Sequence, residues 1–292
     1  MRSSQPLLSP RLWLMALVSG MVLSACSPAP QTPPDNPDTP ETPVDPTPEE
    51  PEGPEDPLPV DEPEPEPISF PHDPVAQLPA GTGKGYTDKR NWAPGICFPL
   101  EAATAWLNSQ VYRPGGSARP SEPNQCAAEN YAYPWQDNFC ETRGWDNPMC
   151  TGGKGHQGQD IRPATCKANQ HWAVAAEDGT ITQIGAMTVA MTGASPPHRT
   201  YRYLHLQSST LKVKLHDTVK RGQRIGLVSN NLGISNGKQQ YTSIHLHFEI
   251  RIPQAETLED GTVLAERAFV SPYAALVDAF DRKLKGDCPP VP

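Results

Sequence analysis

Residues 244–250 read Ile-His-Leu-His-Phe-Glu-Ile, an alternation of apolar and polar side chains that is typical of a β-strand. Successive side chains of a strand point to opposite faces of its sheet, so His245, His247 and Glu249 share one face. Two imidazoles on one face indicate a common task, such as holding a cation or handling a proton. A pair of exposed strand histidines is the alternative. We expect Glu249 to be a solvated carboxylate near the strand end rather than the partner of a ligand imidazole.

A second segment, residues 155–163, reads Gly-His-Gln-Gly-Gln-Asp-Ile-Arg-Pro. The internal glycines and the final proline disfavour a helix, so we expect His156 and Asp160 to converge through a loop that leads into a strand. Histidine and aspartate are both zinc ligands in proteins.

A third segment, residues 201–206, reads Tyr-Arg-Tyr-Leu-His-Leu. The strand period predicts that His205 lies on the same face as Tyr201 and Tyr203, with the two leucines on the other face. The remaining histidines have no matching partners in the sequence, and we expect them to lie outside the site; they are His72, His171, His198 and His216.

Short β-rich runs separated by turn residues recur through residues 156–252 and predict a domain of short strands. Besides the segments above, these runs are residues 173–176, 180–184, 188–191 and 224–228. The Asn230–Thr242 connection is long and polar. Residues 271–285 begin with Ser-Pro and predict a C-terminal helix with Ser271 as its N-cap.

Residues 72–155 are loop-rich and show no sustained secondary-structure period, apart from a predicted short helix at residues 100–110. We call residues 72–155 the extension and expect it to pack on a second domain, which we place at residues 156–292. Both it and the Asn230–Thr242 connection are expected to shape or cover the site formed by the histidine-bearing segments.

Six cysteines follow residue 26, and an even number in an exported chain indicates up to three disulfides. Their pairing stays open, although a bridge between Cys150 and Cys166 would brace the segment around His156. No two of them form a Cys-x-x-Cys pair, which disfavours zinc binding by the thiols. The six are Cys97, Cys126, Cys140, Cys150, Cys166 and Cys288.

The first 25 residues predict a signal peptide, because Arg2 and Arg11 precede an apolar run too short for a membrane span of about 20 residues. The run ends in Leu-Ser-Ala-Cys at residues 23–26, which resembles the bacterial lipoprotein box. That resemblance implies lipidation of Cys26 and membrane attachment through the lipid; an ordinary secreted protein is the alternative. The residue after the cysteine is Ser27 rather than Asp, which favours the outer membrane over retention at the inner membrane.

Residues 26–71 are expected to form a disordered tether behind the lipid. Residues 27–67 alone hold 16 of the 36 prolines and 13 of the 33 acidic residues, with no Lys or Arg. After residue 67 the chain carries 22 basic and 20 acidic residues, so the net charge of −9 comes from the tether. No basic run indicates a nucleic-acid surface, and we expect no nucleic-acid partner.

Four motifs occur in an order that resembles the lysostaphin/LytM-type zinc metalloendopeptidases of bacterial cell walls. They are His156-x-x-x-Asp160, Tyr203-Leu-His-Leu206, Arg221-Gly-Gln-Arg-Ile-Gly226 and His245-Leu-His-Phe-Glu249. The resemblance spans about residues 155–252. It implies a mainly β fold, an antiparallel sheet similar to the duplicated hybrid motif, with a long groove over one zinc ion per chain.

The same resemblance implies that zinc is bound by His156, Asp160 and His247. It also implies that His205 and His245 are catalytic: His245 passes a proton from water to the leaving amine and His205 orients the water or stabilises the oxyanion, although these roles could be exchanged. Three protein ligands leave a position for water, as in catalytic zinc sites.

The expected activity is hydrolysis of peptidoglycan stem peptides or cross-links, by a protein of the cell envelope at the periplasmic face of the outer membrane. A catalytically silent regulator of other cell-wall hydrolases is the alternative, because some members of this fold have lost ligands. A structural lipoprotein that links membrane and wall is a third possibility.

Overall fold

The computed structural model describes residues 70–119, 124–289 and 291. The predicted signal peptide, Cys26 and the tether at residues 27–67 lie outside these residues. No helix within the described part of the chain is long and apolar enough to cross a membrane.

The described residues form a mainly antiparallel β structure with one C-terminal α-helix, which confirms the predicted fold class. The largest sheet has the order β1-β2-β11-β6-β5-β4-β7, and β14 pairs with β11 beyond the end of β2. Three small two-stranded sheets pair β3 with β8, β9 with β10 and β12 with β13. The elements are β1 (Ala105–Leu107), β2 (Gln159–Pro163), β3 (Trp172–Val174), β4 (Gly179–Ile184), β5 (Val189–Gly193), β6 (Thr200–Leu204), β7 (Thr218–Val219), β8 (Arg224–Leu227), β9 (Asn231–Ser235), β10 (Lys238–Tyr241), β11 (Leu246–Arg251), β12 (Glu256–Thr257), β13 (Val263–Leu264), β14 (Phe269–Val270) and α1 (Tyr273–Leu284).

Strand β11 lies at the centre of the main sheet and pairs with β2 on one side and β6 on the other. The register places His247 opposite Asp160 of β2 and opposite Leu204 of β6. The apolar face of β11 is fully buried, and the ring of Phe248 lies 5.3 Å from that of Tyr203. Burying a side chain of this size stabilises the fold by about 1.5–3 kcal/mol, which holds the register and therefore the polar face.

The prediction that His205 shares a strand face with Tyr201 and Tyr203 is wrong. Tyr201 and Tyr203 point into the core, whereas Arg202, Leu204 and His205 line the opposite, groove side. Strand β6 ends at Leu204, and His205 has a φ of 65°, in the left-handed region that most side chains avoid. The strand alternation therefore stops one residue early, and the next side chain turns to the groove.

The predicted helix at residues 100–110 is also wrong, because residues 105–107 form β1. Its three residues pair with Ile161–Pro163 of β2, and both Ala105 and Leu107 are fully buried. The Ala- and Leu-containing sequence suits a helix locally, but hydrogen bonding to the open edge of β2 overrides that weak preference.

The C-terminal helix forms as predicted, but Ser271 is not its N-cap. Pro272 occupies that position, and the Ser271 hydroxyl accepts a hydrogen bond of 3.2 Å from the backbone N–H of Tyr273. The helix packs against the extension, where the ring of Phe280 lies 4.4 Å from that of Trp135.

The six cysteines form three disulfides, in line with their even number. The sequence leaves the pairing open, and the bridge considered between Cys150 and Cys166 does not form, because Cys150 pairs with Cys140 within the extension. The pairs are Cys97–Cys288, Cys126–Cys166 and Cys140–Cys150. Two of them join the extension to later parts of the chain, and the third closes the loop that precedes His156.

Candidate metal centre

Three of the predicted site residues meet where β2 faces β11. His156, Asp160 and His247 are buried, and one ligand atom from each lies within 4.8 Å of the others. The Nδ1 of His247 is 2.9 Å from Asp160 Oδ1 and 3.0 Å from the Nε2 of His156. A carboxylate between two imidazoles is a donor set that suits zinc.

A glycine lets the two ligands of the second segment approach β11. A Cβ atom at Gly158 would lie 2.5 Å from the carbonyl oxygen of Phe248 and 2.8 Å from the Nε2 of His247. Any side chain at this position would therefore push His156 and Asp160 away from His247.

Hydrogen bonds determine which nitrogen of each ligand imidazole faces the centre. The Nδ1–H of His156 donates to the carbonyl oxygen of Asn138 at 2.8 Å, so its Nε2 carries the lone pair. His247 is turned the other way, because its Nε2–H donates to Glu249 Oε1 at 3.0 Å and its Nδ1 faces Asp160. Once His247 releases its Nδ1 proton, both imidazoles present a lone pair beside the carboxylate, and the residues fit a bound metal ion.

The expectation of a solvated Glu249 is wrong. Its side chain is only 4% exposed, and it forms an ion pair with Arg202 as well as the hydrogen bond to His247. The carboxylate is enclosed because β11 is a central strand and Arg202 of β6 lies directly opposite. Carboxylates in this position orient metal-binding histidines and raise their basicity.

The two predicted catalytic histidines lie beside the three candidate ligands. The Nδ1–H of His245 donates to the carbonyl oxygen of Ser243 at 2.9 Å, and its Nε2 is 3.4 Å from Asp160 Oδ1. The Nδ1–H of His205 donates to the carbonyl oxygen of Asn231 at 2.8 Å, and its ring centre lies 4.4 Å from that of His245. Each therefore keeps an Nε2 acceptor.

Burial and neighbouring charges separate the protonation states of these groups. Burial, with the nearby His247 adding to it, lowers the pKa of His205 to about 4, and burial also holds the pKa of His245 well below its usual range. Burial opposes ionisation of His247 too, but its hydrogen bonds to Asp160 and Glu249 raise its pKa to about 9. The pKa of Asp160 stays well below its usual range, because the surrounding imidazoles outweigh its burial.

The five residues lie in a groove of about 950 Å³. The extension forms one wall with residues 110–111, 115–117 and 143–146, and the hairpin of β9 and β10 contributes Leu232 and Tyr241. Trp145 in the extension is 51% exposed at this groove. The long connection at Asn230–Thr242 is thus largely a hairpin beside the groove. The other four histidines do not line it; they are His72, His171, His198 and His216.

Sequence reasoning missed three residues that support the site, namely Arg202, Asn138 and Asn231. Arg202 had a signal, because a charged residue inside an otherwise aromatic and apolar strand run calls for a partner on a neighbouring strand. Asn231 acts through its backbone carbonyl, and Asn138 acts through its backbone carbonyl and its side-chain oxygen. Every residue carries a backbone carbonyl, and Asn138 lies in a segment without a secondary-structure period, so no sequence pattern identifies them.

Residues 154–261 match the model of the family described as Peptidase family M23. No curated protein matches the chain. Among solved structures, the lytM protein of Ruminococcus gnavus is 24% identical, with 42% of this chain and 47% of that chain covered and a TM-score of 0.33. The match thus spans about half the length of that protein. The catalytic domain of lysostaphin from Staphylococcus simulans is 21% identical, with 44% of this chain and 89% of that chain covered and a TM-score of 0.28. A zinc-containing peptidase from Vibrio cholerae is 24% identical, with 46% of this chain and 35% of that chain covered and a TM-score of 0.28. The family match identifies residues 154–261 as a domain of peptidase family M23.

Proposed function

We propose that this protein is a zinc-dependent endopeptidase that hydrolyses peptide bonds in peptidoglycan stem peptides or cross-links. One observation carries the proposal: three buried metal-ligand side chains and two further imidazoles share one groove. A regulator that only binds other hydrolases needs a groove, but it does not need all five groups together.

Zinc would be held by His156, Asp160 and His247, and when bound it supplies Lewis-acid polarisation of the scissile carbonyl and an activated water. His245 is neutral near pH 7 and accepts a proton at Nε2, which it then delivers to the leaving amine. The carbonyl oxygen of Ser243 accepts the Nδ1–H of His245 and stabilises the imidazolium that forms.

His205 supports one of its two expected roles better than the other. Its Nδ1–H is engaged by Asn231, and its pKa of about 4 leaves Nε2 without a proton near pH 7. A nitrogen in this state accepts a hydrogen bond but cannot donate one to an oxyanion. His205 therefore orients the attacking water.

We further propose that the protein acts at the periplasmic face of the outer membrane, attached through lipid on Cys26. The Leu-Ser-Ala-Cys sequence at residues 23–26 and the acidic, proline-rich stretch after it support this proposal. A tether of this composition would let the groove reach the wall from the membrane surface. Replacing Cys26 with Ser should move the protein from the membrane fraction to the soluble fraction; retention in the membrane would contradict the lipid anchor.

The enzymatic proposal is tested with purified protein and defined muropeptides, with products identified by mass spectrometry. We expect cleavage that stops when a chelator removes zinc and returns when zinc is restored. A zinc-loaded protein that leaves all muropeptides intact but stimulates another cell-wall hydrolase would contradict the enzyme and support the regulator.

A further inference from the structure

Asn138 is a buried residue of the extension that contacts two of the three metal-ligand residues. It lies outside residues 154–261, the part of the chain that matches the family model. Its carbonyl oxygen accepts the Nδ1–H of His156 at 2.8 Å, and its side-chain Oδ1 accepts the backbone N–H of Asp160 at 3.1 Å. The residue is 1% exposed.

The contact with Asp160 occurs where a strand partner is missing. Strand β1 ends at Leu107, which pairs with Ile161, so β1 does not extend alongside Asp160. Instead, the Asn138 side chain accepts the hydrogen bond at that edge of β2 and fixes the backbone of Asp160. Without it, a buried N–H would have no acceptor.

Asn138 is itself held on every side. Its Nδ2 donates to the carbonyl oxygen of Asn108 at 2.8 Å, and its backbone N–H donates to Gln159 Oε1 at 3.1 Å. The side-chain Oδ1 of Asn108 in turn accepts a hydrogen bond of 3.0 Å from the buried Arg162, also on β2. The amide of Asn138 therefore has one available orientation, with Oδ1 towards Asp160.

The chain next to Asn138 also fixes the backbone of His156. The N–H of Cys140 donates to the carbonyl oxygen of His156 at 3.0 Å, and the N–H of His156 donates to the carbonyl oxygen of Glu141 at 2.9 Å. The disulfide between Cys140 and Cys150 closes the loop that carries these groups. His156 is thus held by its ring and by both of its backbone polar groups.

We propose that Asn138 is a positioning residue of the metal centre: its carbonyl fixes the tautomer of His156, and its side chain holds the backbone of Asp160. The extension is then part of the metal site as well as a wall of the groove. This inference rests on the zinc binding of the proposed function and is independent of hydrolysis.

The test measures zinc affinity of the full-length protein by competition with a chromophoric chelator. Asn138→Ala removes the acceptor for the Asp160 N–H and should weaken zinc binding about 10- to 100-fold, as expected for the loss of an outer-shell partner. The visible spectrum of the cobalt-substituted variant should change as well, because it reports the geometry of the ligands. The isosteric Asn138→Asp keeps an acceptor oxygen and should bind zinc more tightly than Asn138→Ala.

Asn130→Ala is the matched control. Asn130 is another fully buried asparagine of the extension, and its side chain donates to the carbonyl oxygens of Pro114 and Gln125 without touching a ligand residue. This variant should lose folding stability but retain the zinc affinity and cobalt spectrum of the wild type.

Equal zinc affinities in Asn138→Ala, Asn130→Ala and the wild type would overturn the positioning role alone. So would equally weak binding by Asn138→Asp and Asn138→Ala, since the acceptor oxygen would then not be the cause. A wild type that binds no zinc would overturn the proposed function together with this inference. Should Asn138→Ala fail to fold, Asn138→Ser takes its place: its shorter side chain does not reach the Asp160 N–H as Oδ1 does, so it must bind zinc more weakly than Asn130→Ala, and equal binding by the two would overturn the positioning role.

Discussion

The strands after residue 156 and the extension before them build the same groove by different means. In the strands, regular alternation brings His247 and Glu249 to one face while Phe248 anchors the other face in the core. In the extension, irregular backbone is held by disulfides and by side chains that bond to backbone groups, as at Asn138. In the proposed enzyme, the strands would therefore carry the chemistry, and the extension would orient and enclose it. Mutations in the two regions should therefore differ in size and in kind.

The largest effect is expected from His247→Ala. This change removes one of three ligands from the central strand, so both zinc binding and muropeptide hydrolysis should be lost. Metal analysis of the purified variant and a muropeptide digest measure the two effects. His72→Ala alters an exposed histidine outside the groove and should leave both unchanged. Full zinc occupancy in His247→Ala would show that another residue is the ligand.

His245→Ala should retain zinc but lower kcat by about 10² to 10⁴, the usual contribution of a general acid–base group. The same measurements on His205→Ala should show zinc retained and activity reduced. Loss of the metal from His245→Ala would mean that the ligand and proton-transfer roles are exchanged between His245 and His247.

Zinc affinity should fall as the pH decreases below about 9. Binding at His247 requires an unprotonated Nδ1, and Asp160 and Glu249 raise the pKa of His247 to about 9 in the metal-free protein. Each pH unit below that value should cost about tenfold in affinity, because one proton is released when the metal binds. Chelator competition between about pH 6 and pH 8 measures the slope. Glu249→Gln keeps a hydrogen-bond acceptor but removes a negative charge, so the zinc affinity of this variant should begin to fall at a lower pH than that of the wild type. The same pH dependence in both proteins would contradict the role of Glu249.

The smallest effect is expected from a substitution in the groove wall that the extension forms. Trp145→Ala should raise KM for muropeptides about 3- to 10-fold, the value of one lost aromatic contact, with zinc content unchanged. Leu215→Ala removes another exposed apolar side chain that does not line the groove, and it should leave KM unaltered. A large fall in kcat for Trp145→Ala would place that residue closer to the chemistry than a wall position.

The local sequence pattern was sufficient for the face of β11, for most of the strands in residues 156–252 and for the C-terminal helix. These follow from strand and helix periods, which depend only on neighbouring residues. The pattern missed the hairpin of β9 and β10, whose residues are mostly polar. The same reasoning erred at His205, because one residue in the left-handed region reverses the expected face. It erred at residues 100–110, because pairing with β2 outweighed helix preference.

The amino-acid sequence by itself determined which residue types could form a metal centre and the order in which the chain presents them. Only the tertiary structure decided that His156, Asp160 and His247 meet, that Glu249 is buried against Arg202, and which cysteines pair. These outcomes depend on contacts between residues far apart in the chain, including the backbone carbonyl of Asn138 on the ring of His156. Backbone groups are chemically the same in every residue, so their contribution emerges only when the fold brings them to the site.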